Sequence, residues 1–142
     1  VGFPGETESD FNETLKVMKN AQFNHSYMFK YSARPGTKAA EYSDHIDEGI
    51  KQSRLEAVID LQRILTLETN KKLIGKIVKV LIEKESKKSN SQWSGRTDGN
   101  TWVVFDKKNE GIKDIVSVLI QDTKGVTLFG KQIIIGEVNE VN

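Results

Sequence analysis

Two arginines are the groups best suited to hold an anion. Arg34 lies in Ala33-Arg34-Pro35-Gly36-Thr37, a sharp loop, because Pro35 restricts the backbone before it and Gly36 can take a positive φ. A guanidinium there can grip a carboxylate or phosphate through two hydrogen bonds, although an arginine that ties its own loop to the preceding carbonyls reads equally simply. Arg96 flanks the turn Asp98-Gly99-Asn100. It can meet a phosphate, Asn100 a base edge or sugar hydroxyl, and Trp102 or Trp93, if exposed, a base face. The competing account is architectural: Asn100 takes a left-handed turn and the tryptophans fill a core. Nucleotide contact is favoured for Arg96, and packing in the core or at its rim for Trp102. Lys87, Lys88, Lys107 and Lys108 read as electrostatic footing, each phosphate contact adding about −0.7 to the salt slope on a single strand.

Other chemistries are poorly supported. There is no cysteine in the 142 residues, which removes disulfides, thiolate catalysis and cysteine-held zinc or iron–sulfur clusters from this chain. His25 and His45 stand apart with no partner at a ligand spacing, so packed or solvated histidines are expected and no metal site. Glu6 and Asp10 fit helix capping better than paired acid and base catalysis. Asn12-Glu13-Thr14 and Asn24-His25-Ser26 match glycosylation acceptors only formally. No apolar run approaches the length of a membrane span, and a cytoplasmic protein is expected.

Positioning these residues requires two differently patterned halves. Thr7 can cap a helix over Glu8–Asn20 whose stripe is Phe11, Leu15 and Met18. His25 to Ser32 alternates and predicts a strand, which completes most of a βαβ unit with a parallel sheet. The Arg34 loop would then lie at the carboxyl end of a strand, where ligands bind in such sheets. A long helix follows from Asp47 to about Lys72, with Ile50, Leu55, Val58, Ile59, Gln62 and Leu65 on a ragged apolar face.

Beyond Gly75 the period becomes two. Strands are expected at Ile77–Glu83, Trp93–Thr97, Thr101–Phe105, Ile115–Gln121 and Gln132–Val138, with an extra candidate at Val126–Phe129. Turns are expected at Ser89-Asn90-Ser91, Asp98-Gly99-Asn100, Asn109-Glu110-Gly111 and Lys124-Gly125. So many short strands predict a small closed barrel, since closure removes exposed sheet edges. Charge divides in the same place: residues 1–70 carry eight Lys and Arg against eleven Asp and Glu, and residues 71–142 thirteen against nine. A basic second half suits a polyanionic partner, though a solvated lysine-rich surface would look the same.

Three segments carry a resemblance. Val1-Gly2-Phe3-Pro4-Gly5-Glu6-Thr7-Glu8-Ser9-Asp10-Phe11 and Phe29-Lys30-Tyr31-Ser32-Ala33-Arg34-Pro35-Gly36-Thr37-Lys38-Ala39-Ala40 resemble the last part of the barrel of the radical S-adenosylmethionine methylthiotransferases. Ser94-Gly95-Arg96-Thr97-Asp98-Gly99-Asn100-Thr101-Trp102-Val103-Val104-Phe105 resembles the centre of their appended TRAM domain, a β-barrel associated with RNA binding. The resemblance implies an α+β fragment. Residues 1–70 would be the C-terminal remnant of a partial (β/α) barrel, and residues 71–142 a five-stranded antiparallel, OB-like TRAM barrel.

The tRNA-modifying branch of the family is the nearer one, and it implies methylthio transfer to a modified adenosine beside the anticodon. S-adenosylmethionine and two 4Fe-4S clusters would serve the longer protein, none bound by this fragment, which should be inactive alone. The opening residues, read as a strand end running into a capped helix, also fit a piece of something larger. Arg34 matches the family's Arg-Pro-Gly-Thr element and, with Gly2 and Gly5, is implied on the cofactor or substrate side; tight strand-to-helix packing would explain the glycines nearly as well. The implied RNA contacts are Arg96, Asn100, Lys87, Lys88, Lys107 and Lys108, and the implied partner is the tRNA anticodon arm. A sibling family that modifies a ribosomal protein and a stand-alone RNA-binding module are the alternatives. A truncated sheet at His25–Ser32 would expose backbone and favour dimers or strand exchange.

Overall fold

The structure, a computed structural model, describes residues 1–134. It forms two compact units, one covering Val1–Leu65 and one beginning at Thr66.

The first unit is built on α1 (Glu8–Ala21) and the first part of α2 (Glu48–Lys71). Thr7 and Asp10 make the reciprocal capping box: Asp10 N donates to Thr7 Oγ1 at 3.2 Å and Thr7 N to Asp10 Oδ2 at 2.9 Å. The bond from the Thr7 side chain is the main reason the Asp10 carboxyl is held below its ordinary pKa. Asp47 opens α2 in the same manner, its Oδ1 accepting from Gly49 N at 2.8 Å. Phe11 and Met18 of α1 pack on Val58 and Leu65 of α2. Gln62 is buried on the same face and satisfied, accepting from Ser26 Oγ at 2.8 Å and donating to the Phe23 carbonyl at 2.7 Å.

A buried ion pair locks the helix ends together. Arg54, only 6% exposed, donates through Nη1 to Glu6 Oε1 at 2.8 Å and to the Glu6 carbonyl at 3.0 Å, and through Nη2 to Glu8 Oε2 at 3.2 Å. Glu6 Oε2 accepts from Gly2 N at 2.8 Å. Glu6 is therefore the partner of Arg54 and a tie to the chain start, not simply a charge at the helix end.

The stretch His25–Ser32 is not a strand. Two backbone bonds tie it to the chain start: Val1 N donates to Phe29 O and Tyr31 N to Val1 O, both at 2.8 Å. Alternation is present without a neighbouring strand to use it, so the parallel sheet and barrel remnant expected for residues 1–70 are not seen among the described residues. The expectation of a dimer or strand exchange loses its basis with that sheet edge.

The second unit is a closed barrel of β1 (Ile77–Ser86), β2 (Ser89–Thr97), β3 (Trp102–Asp106), β4 (Ile115–Lys124) and β5 (Thr127–Ile133), in the order β1-β2-β3-β5-β4. Four seams are antiparallel. The β3/β5 seam is parallel, which corrects the all-antiparallel expectation. Val80, Ile82, Val103, Phe105, Val116, Val118, Ile120 and Leu128 point inward and fill the barrel, each burial contributing on the order of 2 kcal/mol. Closure depends on two glycines opposite β-bulges. Gly95 faces Ile82 and Gly130 faces Ile120, beside the register shifts at Ile82/Lys84 and Ile120/Asp122. A Cβ on Gly95 would lie 2.2 Å from the Leu81 carbonyl oxygen, and one on Gly130 2.4 Å from that of Leu119. The strands bend across each other at these points because no side chain stands between them.

Two boundaries differ from the sequence reading. Ser89-Asn90-Ser91 belongs to β2, and Lys87-Lys88 makes the hairpin turn. The fifth strand joins the Val126–Phe129 candidate to the start of Gln132–Val138; residues 135–138 lie outside the described part.

Candidate nucleic-acid interface

Barrel register assembles a surface that no single segment contains. Lys84 of β1 pairs with Ser94 of β2, Ser94 with Val104 of β3, and Val104 with Phe129 of β5, giving one outward row across four strands. In the adjoining row, Arg96 pairs with Trp102 and Trp102 with Thr127. Small Ser94 and Val104 form a floor between taller neighbours. The result is a groove of about 420 Å³, lined by these residues except Arg96, together with Ser86, Lys87, Lys88, Gln92 and Lys124.

Its lining holds four lysines and no carboxylate. Each aromatic carries an ammonium: Lys84 Nζ lies 4.4 Å from the centre of the Trp102 ring, and Lys124 Nζ 6.0 Å from that of Phe129. Such a surface can take phosphates on its lysines and flat rings on Trp102 and Phe129.

The structure divides the sequence-predicted residues. Lys87 and Lys88 line the groove and are exposed. Lys107 does not; it pairs with Glu85, and its Nζ lies 4.1 Å from the Trp93 ring centre. Lys108 is exposed outside the lining. Arg96 and Asn100 meet each other, Nη1 donating to Asn100 Oδ1 at 2.7 Å, with Asn100 in the left-handed conformation at a φ of 60°. Trp102 faces outward, half-buried, while Trp93 packs against the barrel core. Lys84, Lys124 and Phe129 were missed, because only closure of the barrel brings them beside Trp102.

In the first unit, Arg34 is exposed, and its carbonyl accepts from Thr37 N at 3.2 Å and Thr37 Oγ1 at 2.8 Å. Gly2 and Gly5 have positive φ and are crowded by the chain itself: a Cβ would meet Lys51 Cγ at 2.2 Å and Asp44 Oδ2 at 2.6 Å respectively. That is tight packing of the chain on itself. Among the described residues no group of His, Asp and Glu could hold a metal ion, and none of the helices is long and apolar enough to cross a membrane.

The second unit is a TRAM domain: that family's sequence profile matches residues 71–133. Nearly the whole chain is similar to proteins named tRNA-2-methylthio-N(6)-dimethylallyladenosine synthase. The relative from Christiangramia forsetii is 47% identical over 133 residues, covering 93% of this chain and 28% of its own length. Those from Porphyromonas gingivalis and Methylacidiphilum infernorum are 46% and 38% identical, over 92% and 96% of this chain and 28% and 29% of their lengths. The chain spans about 28% of the length of the curated relatives it matches. The resemblance implies S-adenosylmethionine and iron–sulfur clusters for the longer protein, and a chain without cysteine offers no thiolate to a cluster.

Proposed function

We propose that this chain is a segment of a tRNA methylthiotransferase and that its barrel groove holds RNA, presenting the anticodon arm to a catalytic centre formed elsewhere in the longer protein. On this reading residues 1–70 belong to the radical S-adenosylmethionine barrel and residues 71–142 to TRAM. The clusters and S-adenosylmethionine supply the methylthiolation chemistry in the whole protein. This chain supplies grip and orientation and is inactive alone.

The groove carries the proposal. Lysines tracking a backbone beside exposed aromatic faces are what sequence-tolerant single-strand binding requires, because every base has a stacking face. The same lysines disfavour the basic polypeptide expected for the ribosomal-protein sibling.

Titration of the full chain with an anticodon stem-loop RNA at about 50 and 200 mM salt tests the reading. Binding at low salt is expected, with a slope near −3 if all four groove lysines meet phosphates. No binding at low salt overturns it.

A further inference from the structure

Arg96 was the side chain expected to reach a phosphate, yet its guanidinium is already surrounded. Nη1 donates to Asn100 Oδ1 at 2.7 Å, Nη2 to Glu83 Oε2 at 3.4 Å, and Nε faces Glu83 Oε1 at 3.1 Å as an ion-pair contact. Its central carbon lies 4.5 Å from the middle of the Trp102 ring, its cross-strand neighbour. Arg96 is also absent from the groove lining, whereas Lys84, over the same ring, is part of it.

The backbone explains how Glu83 comes to be there. The β1/β2 register jumps from Ile82 to Lys84, leaving Glu83 as the extra residue of a bulge, and bulges re-aim side chains. On the other side, the left-handed φ of Asn100 directs its amide to the guanidinium. A bulge and a turn therefore converge on one arginine, and that arginine lies against one tryptophan.

We infer that Glu83, Arg96 and Asn100 form a clamp that positions the Trp102 ring as the stacking wall of the groove, and that Arg96 is a positioning residue and not a phosphate ligand. Lys84 is the movable cation of the pair. When a base stacks on Trp102 the Lys84 ammonium leaves the ring for the RNA backbone, while Arg96 stays held by its carboxylate. This inference rests on the RNA reading of the groove.

The test compares the full chain with Glu83→Gln, Arg96→Gln, the double variant and Lys84→Ala. Affinity for the stem-loop RNA is measured across a salt series centred near 0.15 M, where charges beyond about 8 Å are largely screened. The clamp predicts that both single variants and the double variant weaken binding by a similar factor, about three- to tenfold of the stacking contribution, at unchanged salt slope. Lys84→Ala lowers the slope by about 0.7.

Tighter binding by Glu83→Gln, or a slope reduced by about 0.7 in Arg96→Gln, makes Arg96 a phosphate ligand and overturns the clamp. In the RNA-free protein, with Trp93→Phe to isolate one fluorophore, Arg96→Gln and Glu83→Gln should each raise acrylamide quenching of Trp102; unchanged quenching also overturns the clamp. Failure of the unsubstituted chain to bind RNA defeats the functional reading itself, a result distinct from either.

Discussion

Lys84 holds its ammonium 4.4 Å from the centre of the Trp102 ring although the two residues lie on β1 and β3, with β2 between them. The contact spans the groove floor at Ser94, where a larger outward side chain would separate them. Charge and stacking surface are thereby placed within one nucleotide's reach, which is the physical basis of the proposed RNA site.

The lysines should separate into two classes. Lys84→Ala, Lys87→Ala, Lys88→Ala and Lys124→Ala each lower the salt slope of RNA binding by about 0.7. Lys107→Ala and Lys108→Ala leave the slope unchanged, since Lys107 is committed to Glu85 and both lie outside the groove. Filter-binding or anisotropy titrations at four salt concentrations check this.

Breaking the Arg54 pair should destabilise the helical unit. Arg54→Ala leaves the mostly buried Glu6 carboxylate uncompensated and is expected to cost about 3 kcal/mol. Glu8→Ala, which removes a carboxylate that is 72% exposed, should cost under about 1 kcal/mol. Urea unfolding followed by helical circular dichroism distinguishes the two.

The barrel glycines should differ by what faces them. Gly95→Ala and Gly130→Ala drive a methyl into a neighbouring carbonyl and are expected to cost about 3 kcal/mol each or prevent closure. Gly125→Ala, with open space around it but a φ of +59°, should cost about 1 kcal/mol. Tryptophan fluorescence during unfolding reports on all three.

Glu48 titrates low because Lys30 and Lys51 hold its carboxylate, bringing the pKa to about 2 from 4.5. The folded value lies below the unfolded one, so the stabilisation is present above about pH 4.5 and is lost as pH falls towards 2. Carboxyl NMR titration should show Glu48 returning to the ordinary glutamate range in the Lys30→Met, Lys51→Met double variant. An unshifted midpoint would remove both lysines as the cause.

What could be read from sequence was local. The Thr7–Asp10 box needs three residues of spacing, and the barrel core needs alternation, as at Val116, Val118 and Ile120. The bulge at Glu83 hid the length of β1, and Gly130 interrupted the pattern that would have joined Thr127 to Ile133. His25–Ser32 alternates as a strand does, yet strands are made by neighbours, and among the described residues its backbone bonds run to Val1 and to no strand. The groove was legible only in part, through Lys87, Lys88 and Trp102. Lys84, Lys124 and Phe129 come from three strands whose adjacency is set by closure, and the pairing of Arg96 with a carboxylate thirteen residues earlier depends on the bulge at Glu83.

The most direct measurement is amide chemical-shift mapping of the isotope-labelled full chain during titration with anticodon stem-loop RNA. Shifts concentrated at Ser94, Trp102, Val104 and Phe129, with the Trp102 indole among the largest, are predicted. Shifts confined to the Arg34 loop or α1, or none at low salt, would contradict the groove as the RNA site.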